Sequence, residues 1–163
     1  MQRGAVSFRA FKRGTDQEAV LLLLGALNRH EAALGAPRKL DRASVQQCLE
    51  EDMRKIRLWG GEQIVALCDG SIIGYMAVTF GEASPVIPDA IRQHVFIENL
   101  IVSEDARRLG IGGALLERAE NLAREQGFHA LCLGMVPGNG VAEAVYRAAG
   151  FAPVAIEMRK VLD

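Results

Sequence analysis

The segment Arg107-Arg-Leu-Gly-Ile-Gly-Gly113 has the residue types to hold an anion. Glycines let the backbone approach a ligand closely, and the exposed N–H groups of a helix N-terminus attract a group such as a pyrophosphate. Arg107 and Arg108 add fixed positive charge beside them. A nucleotide P-loop follows its glycines with Lys-Ser/Thr, where this chain has Gly113-Ala114. A dinucleotide fingerprint needs a small residue where Leu115 stands and a turn that hugs a strand end, but the glycines here begin eight residues past Val102. Both fit poorly.

Two other residues have chemistry to offer. Glu98 is the only acid inside the apolar stretch His94–Val102, and an acid in such a setting faces something that needs it, a proton donor or a cation. Strand alternation places Phe96, Glu98 and Leu100 on one face, opposite Ile97, Asn99 and Ile101. His94 would share the face of Glu98, but a lone histidine near a strand start reads as an ordinary surface residue. Tyr146 lies on a helix face with Ala142, Val145 and Ala149, where its ring can pack. Cys48, Cys68 and Cys132 sit in apolar segments, form no C-x-x-C pair and have no metal-ligand spacing, so they read as small core residues in a reducing, cytoplasmic compartment. No metal is expected.

Arg107-x-x-Gly110-x-Gly112 resembles the R/Q-x-x-G-x-G/A signature of the GNAT superfamily of N-acetyltransferases. Asn139-x-x-Ala142-x-x-x-Tyr146-x-x-x-Gly150-Phe151 is similar to that family's second signature, and Phe96–Ser103 looks like its fourth strand. The resemblance is motif-specific over Glu98–Phe151. It implies acetyl-CoA bound where the fourth and fifth strands splay apart. Backbone groups of Leu100, Ile101 and Val102 would then pair with the pantetheine arm like an added strand. The N–H groups around Arg107, Arg108, Leu109, Gly110, Ile111, Gly112 and Gly113 would wrap the pyrophosphate, Asn139 would hold the pantetheine from the other side, and Ala142 would be small to let it pass. The family's roles fall on Tyr146 as the acid for the departing thiolate and on Glu98 as the base for the amine.

These residues need elements to carry them. Val6, Phe8 and Ala10 alternate with polar residues as a first strand. Thr15-Asp-Gln-Glu18 fits a capping box opening a helix through about Asn28, and Ser44-Val-Gln-Gln47 fits a second, in a helix stopped by Gly60-Gly61. Ile64–Cys68 and Ile72–Phe80 read as a hairpin turned at Asp69-Gly70. The strand His94–Val102 is followed by a helix faced by Leu115, Leu116, Ala119, Leu122 and Ala123 that ends near Gly127. Ala130–Met135 is a strand, Val141–Ala149 a short helix and Phe151–Val161 a last strand. The sum is an α/β domain over residues 1–163. With the resemblance, it becomes a mixed central sheet of six to seven strands flanked by about four helices, the fourth and fifth strands splayed.

Composition excludes rival classes. Nineteen Lys+Arg against twenty Asp+Glu leave a formal charge of −1, so no global field draws the chain to nucleic acid. The longest apolar run, Ala19–Leu27, is about half of what a membrane span needs. The expected partner is a small-molecule amine. The family's acceptor elements fall on Arg29–Leu40 and Gly81–Gln93, whose mixed charge names no amine. Two rival readings are a protein N-terminal or lysine acetyltransferase and a non-catalytic acyl-CoA-binding sensor. Homodimers are common in the family, and the sequence neither favours nor opposes one.

Overall fold

A computed structural model describes residues 5–162. Five strands form one sheet in the order β1-β2-β3-β4-β5: β1 (Val6–Ala10), β2 (Gly61–Cys68), β3 (Ser71–Glu82), β4 (Gln93–Val102) and β5 (Leu131–Leu133). The first four pair antiparallel and β5 joins β4 in parallel. The helices are α1 (Arg13–Ala33), α2 (Arg42–Trp59), the single turn α3 (Asp89–Arg92), α4 (Ile111–Glu125) and α5 (Gly140–Ala148). No helix among the described residues is long and apolar enough to cross a membrane.

The continuous apolar run of β3 is explained by burial on both faces. Tyr75 and Ala77 pack with Val20, Leu24, Val45 and Leu49 of α1 and α2. Met76 and Val78 pack with Leu115, Leu116 and Ala119 of α4 on the opposite face. Helices thus cover both sides of the sheet, and every site element is anchored in one of the two cores.

Local signals behaved unevenly. The Asp69-Gly70 turn is as expected, with positive φ at both residues (49° and 79°), the requirement of a tight two-residue hairpin. Both capping boxes give way to other side chains. Helix α1 begins at Arg13, and the Asp16 carboxylate reaches back to the Lys12 N–H (2.7 Å) while it pairs with Arg9. Helix α2 begins at Arg42, capped by Asp41, whose Oδ1 accepts from the Ser44 N–H at 2.9 Å.

The expected strand Phe151–Val161 is not formed, and the sheet has five strands rather than six or seven. A strand there needs an edge to pair with, and β5 offers three residues. Pro153 also removes a backbone donor. Val154, Ile156 and Met158 are left exposed.

Candidate active site

The site begins at a β-bulge. Ala77 of β3 faces Asn99 and Val78 faces Ile97, which leaves Glu98 as the extra residue on β4. The bulge breaks the expected alternation. Ile97 and Leu100 both pack toward α4, while Glu98 and Asn99, neighbours in sequence, both turn to α2. Leu100 therefore does not share a face with Glu98.

Glu98 is held tightly and is little exposed. Its Oε2 pairs with Lys55 Nζ of α2 at 2.6 Å, and its Oε1 accepts from Thr79 Oγ1 at 2.7 Å. Beside it lies a buried polar network. Asp52 of α2 accepts from the Tyr75 hydroxyl at 2.8 Å and from the Asn99 amide at 2.9 Å, and Gln63 donates to the Tyr75 oxygen. Burial pushes the Asp52 carboxyl up to about 6, against the pull of its two hydrogen-bond donors. Burial likewise raises the Tyr75 phenol well above its usual range, with the Asp52 charge adding to it.

A second feature is the splay of two strands. β4 and β5 pair only over Val95–Ile97 against Leu131–Leu133, so beyond Ile97 the β5 side of β4 has no strand beside it. A narrow cleft of about 80 Å³ opens there, and Glu98, Leu100, Asn139, Ala142 and Tyr146 line it. Glu31 of α1 reaches the same cleft. Burial first and Glu31 second raise the Tyr146 phenol, so it stays protonated and able to donate. Its ring stands edge-on to Phe151, with centroids 5.9 Å apart. Asn139 caps α5, its Oδ1 accepting from the Ala142 N–H at 3.3 Å and lying 3.3 Å from His30 Nε2. The amide NH2 is the end that Asn139 can turn to a ligand.

The third feature is the start of α4. Gly110 adopts φ 77° as its N-cap, and Arg108 adopts φ 66°, uncommon for a residue with a side chain. Alternating left-handed and helical residues curve the main chain so that successive N–H groups converge into an anion-binding hollow. A Cβ added at Gly112 would meet Val145 Cγ1 at 3.6 Å, ordinary contact, so the protein's own packing leaves room for a side chain there.

Ile101 and Val102 lie beyond the β4–β5 pairing, Ile101 packed toward α1 and α2 and Val102 toward α4. Arg107, Arg108, Leu109, Gly110, Ile111 and Gly113 all lie in or beside the α4 start, Ile111 with its side chain in the core. The structure thus brings Glu98, Leu100, Asn139, Ala142 and Tyr146 to one cleft. Lys55, Thr79 and Asp52 escaped the sequence reading. Lys55 and Asp52 become neighbours of the bulge only once α2 is laid across β3 and β4, and Thr79 only through the register of β3 on β4.

Comparisons with known proteins give the family and the fold. The acetyltransferase (GNAT) family model matches residues 31–151, and the chain belongs to that family. A GCN5-related N-acetyltransferase from Ralstonia eutropha JMP134 has the same fold at a TM-score of 0.74 and 21% identity, covering 96% of this chain and 99% of its own. A predicted acetyltransferase from Clostridium acetobutylicum, solved with acetyl-CoA, matches at 0.72 and 18%, covering 95% and 96%. The aminoglycoside 6'-N-acetyltransferase AAC(6')-IG from Acinetobacter haemolyticus matches at 0.71 and 17%, covering 96% and 99%. No curated protein matches by sequence.

Proposed function

We propose that this chain moves an acetyl group from acetyl-CoA to the primary amine of a small molecule, by direct attack with both substrates bound. The observation that carries this reading is the meeting of Glu98 and Tyr146 on one cleft, floored by β4 backbone that has no strand beside it. The residues present suit acetyl-CoA. The N–H groups around Arg108–Gly113 would take the pyrophosphate, and Gly112 would allow its close approach. Leu100–Val102 would pair with the pantetheine arm, Asn139 would hold it from the α5 side, and Ala142 would leave it room. Bound there, acetyl-CoA supplies a thioester as the acyl donor.

The chain's own groups then manage protons. An alkylammonium, with a pKa of about 10, must lose a proton before its nitrogen can attack. Glu98 accepts that proton, directly or through one water, while Lys55 and Thr79 hold its carboxylate in place. The new N–C bond forms as the C–S bond breaks, Tyr146 donates its proton to the departing thiolate sulfur, and the second proton shed by the nitrogen restores the phenol. A covalent acyl-cysteine route has little support, because none of Cys48, Cys68 and Cys132 lines the cleft, and burial pushes the Cys48 thiol up to about 11. Initial rates with both substrates varied should therefore give intersecting reciprocal plots. Parallel lines, the mark of a ping-pong route, would overturn direct attack.

A further inference from the structure

A second pocket of about 440 Å³ opens where the C-terminal end of α2 meets β3 and β4. Trp59 and Phe96 supply aromatic walls, and Thr79, Phe80, His94, Glu82 and Glu98 are among its other lining residues. Glu98 is the one residue that lines both this pocket and the cleft containing Tyr146. A molecule held here can present one end to the proposed base. The volume lies within the range of small-molecule sites.

The walls are fixed by backbone choices. At Gly60, with φ 84°, a Cβ would come within 2.6 Å of the Phe80 ring, which also stands edge-on to Phe128 at 5.5 Å. At Gly81 a Cβ would come within 2.7 Å of His94 Nε2, and His94 is tied by Nδ1 to the Arg92 carbonyl at 3.0 Å. Gly60 thereby makes room for Phe80 in the α4-side core, and Gly81 for the His94 ring at the pocket.

Charge narrows the ligand. The two carboxylates of the pocket already have cationic partners: Glu98 pairs with Lys55 at 2.6 Å and Glu82 with Arg92 at 3.1 Å. Arg92 is shared with Asp89 at 3.1 Å, so three acids against two bases leave one negative charge, which matches one ammonium. Each further ammonium of a multiply charged amine must compete with Lys55 and Arg92. The aromatic faces, by contrast, offer area to a flat apolar body and cation–π attraction to one ammonium. Trp59 is about half exposed (52%), so its indole has surface left to cover.

We propose that the acceptor is a singly charged arylalkylamine, its amine at Glu98 and its ring against Trp59 and Phe96. This inference rests on the acetyl-transfer reading for the word acceptor, but its test separates the two. Trp59 is the only tryptophan of the chain, so its fluorescence reports occupancy without turnover. 2-Phenylethylamine should give a saturable change at matched ionic strength, and spermidine and kanamycin should not. With acetyl-CoA present, kcat/KM for 2-phenylethylamine should exceed that for the other two by roughly tenfold or more. Trp59→Ala should lower that kcat/KM roughly tenfold while leaving KM for acetyl-CoA unchanged, and Trp59→Phe should restore most of it. Acetylation of spermidine or kanamycin in preference to 2-phenylethylamine would overturn the assignment and leave acetyl transfer standing. Saturable 2-phenylethylamine binding without transfer would support the pocket and count against the transferase reading. Absence of both binding and transfer with 2-phenylethylamine would overturn the proposal.

Discussion

Glu98 owes its position to one extra residue in a strand ladder, and the cost of that arrangement is carried by Asp52. The bulge aims Glu98 and Asn99 at α2 together, and Asn99 brings its amide to a carboxylate that burial holds near 6, against about 4 in an unfolded chain. The folded state therefore binds that proton more tightly than the unfolded state. The stabilisation is fully present below pH ~4 and is lost as the pH rises to ~6, on the order of 3 kcal/mol. The unfolding free energy of the wild type minus that of Asp52→Asn, from urea titrations, should fall by about this amount between pH 4 and 7. A difference that stays flat would show that Asp52 ionises in the fold as it does in water. Tyr146 is a separate matter, since its raised pKa keeps the donor proton in place. Tyr146→Phe should lower kcat by roughly tenfold to a thousandfold, with acetyl-CoA affinity by calorimetry little changed. Undiminished turnover would remove the phenol from the chemistry. Glu98 stands out in the sequence as the one acid in an apolar strand, and Tyr146 through its place in the second family signature. Lys55 and Asp52 do not, for on α2 they are ordinary charges in an ordinary amphipathic helix, and only tertiary packing makes them neighbours of β4.

At the scale of elements, legibility followed range. The Asp69-Gly70 hairpin and the glycine start of α4 are set by residues a few positions apart, and both form as read. The caps were misread by a choice among competitors. Asp41 precedes Ser44 by three residues and takes its N–H, so the serine becomes a donor within the first turn rather than the cap. The bulge and the missing last strand depend on cross-strand register and on the length of a partner edge, which no local pattern encodes. The α4 start carries the sharpest test at this scale. Gly112→Asp introduces a side chain and a negative charge where the pyrophosphate would sit, in a position whose Cβ meets only ordinary contact. Calorimetry should show CoA binding lost while far-ultraviolet circular dichroism is unchanged. Intact CoA binding in that variant would mean that the anion sits elsewhere.

Across the whole molecule, near-neutrality hides a strict placement of charge. The net charge of −1 covers local pairings around the site, Glu98 with Lys55 and Glu82 with Arg92, while Arg107 and Arg108 stand beside the glycine turn. Helices buried against both faces of β3 hold the bulge, and β5 leaves β4 after three paired residues to open the cleft. In the proposed function, binding and chemistry would meet along one strand, with Leu100–Val102 taking the donor and Glu98 the acceptor. The direct measurement is to incubate the protein with acetyl-CoA and a pooled panel of primary amines, following released thiol and identifying the acetylated product by mass spectrometry. The account predicts thiol release that needs an acceptor, matches acetylated amine mole for mole, and falls in Tyr146→Phe. Firm CoA binding with no acceptor-dependent thiol release from any amine would contradict it and mark a module that senses acyl-CoA without spending it.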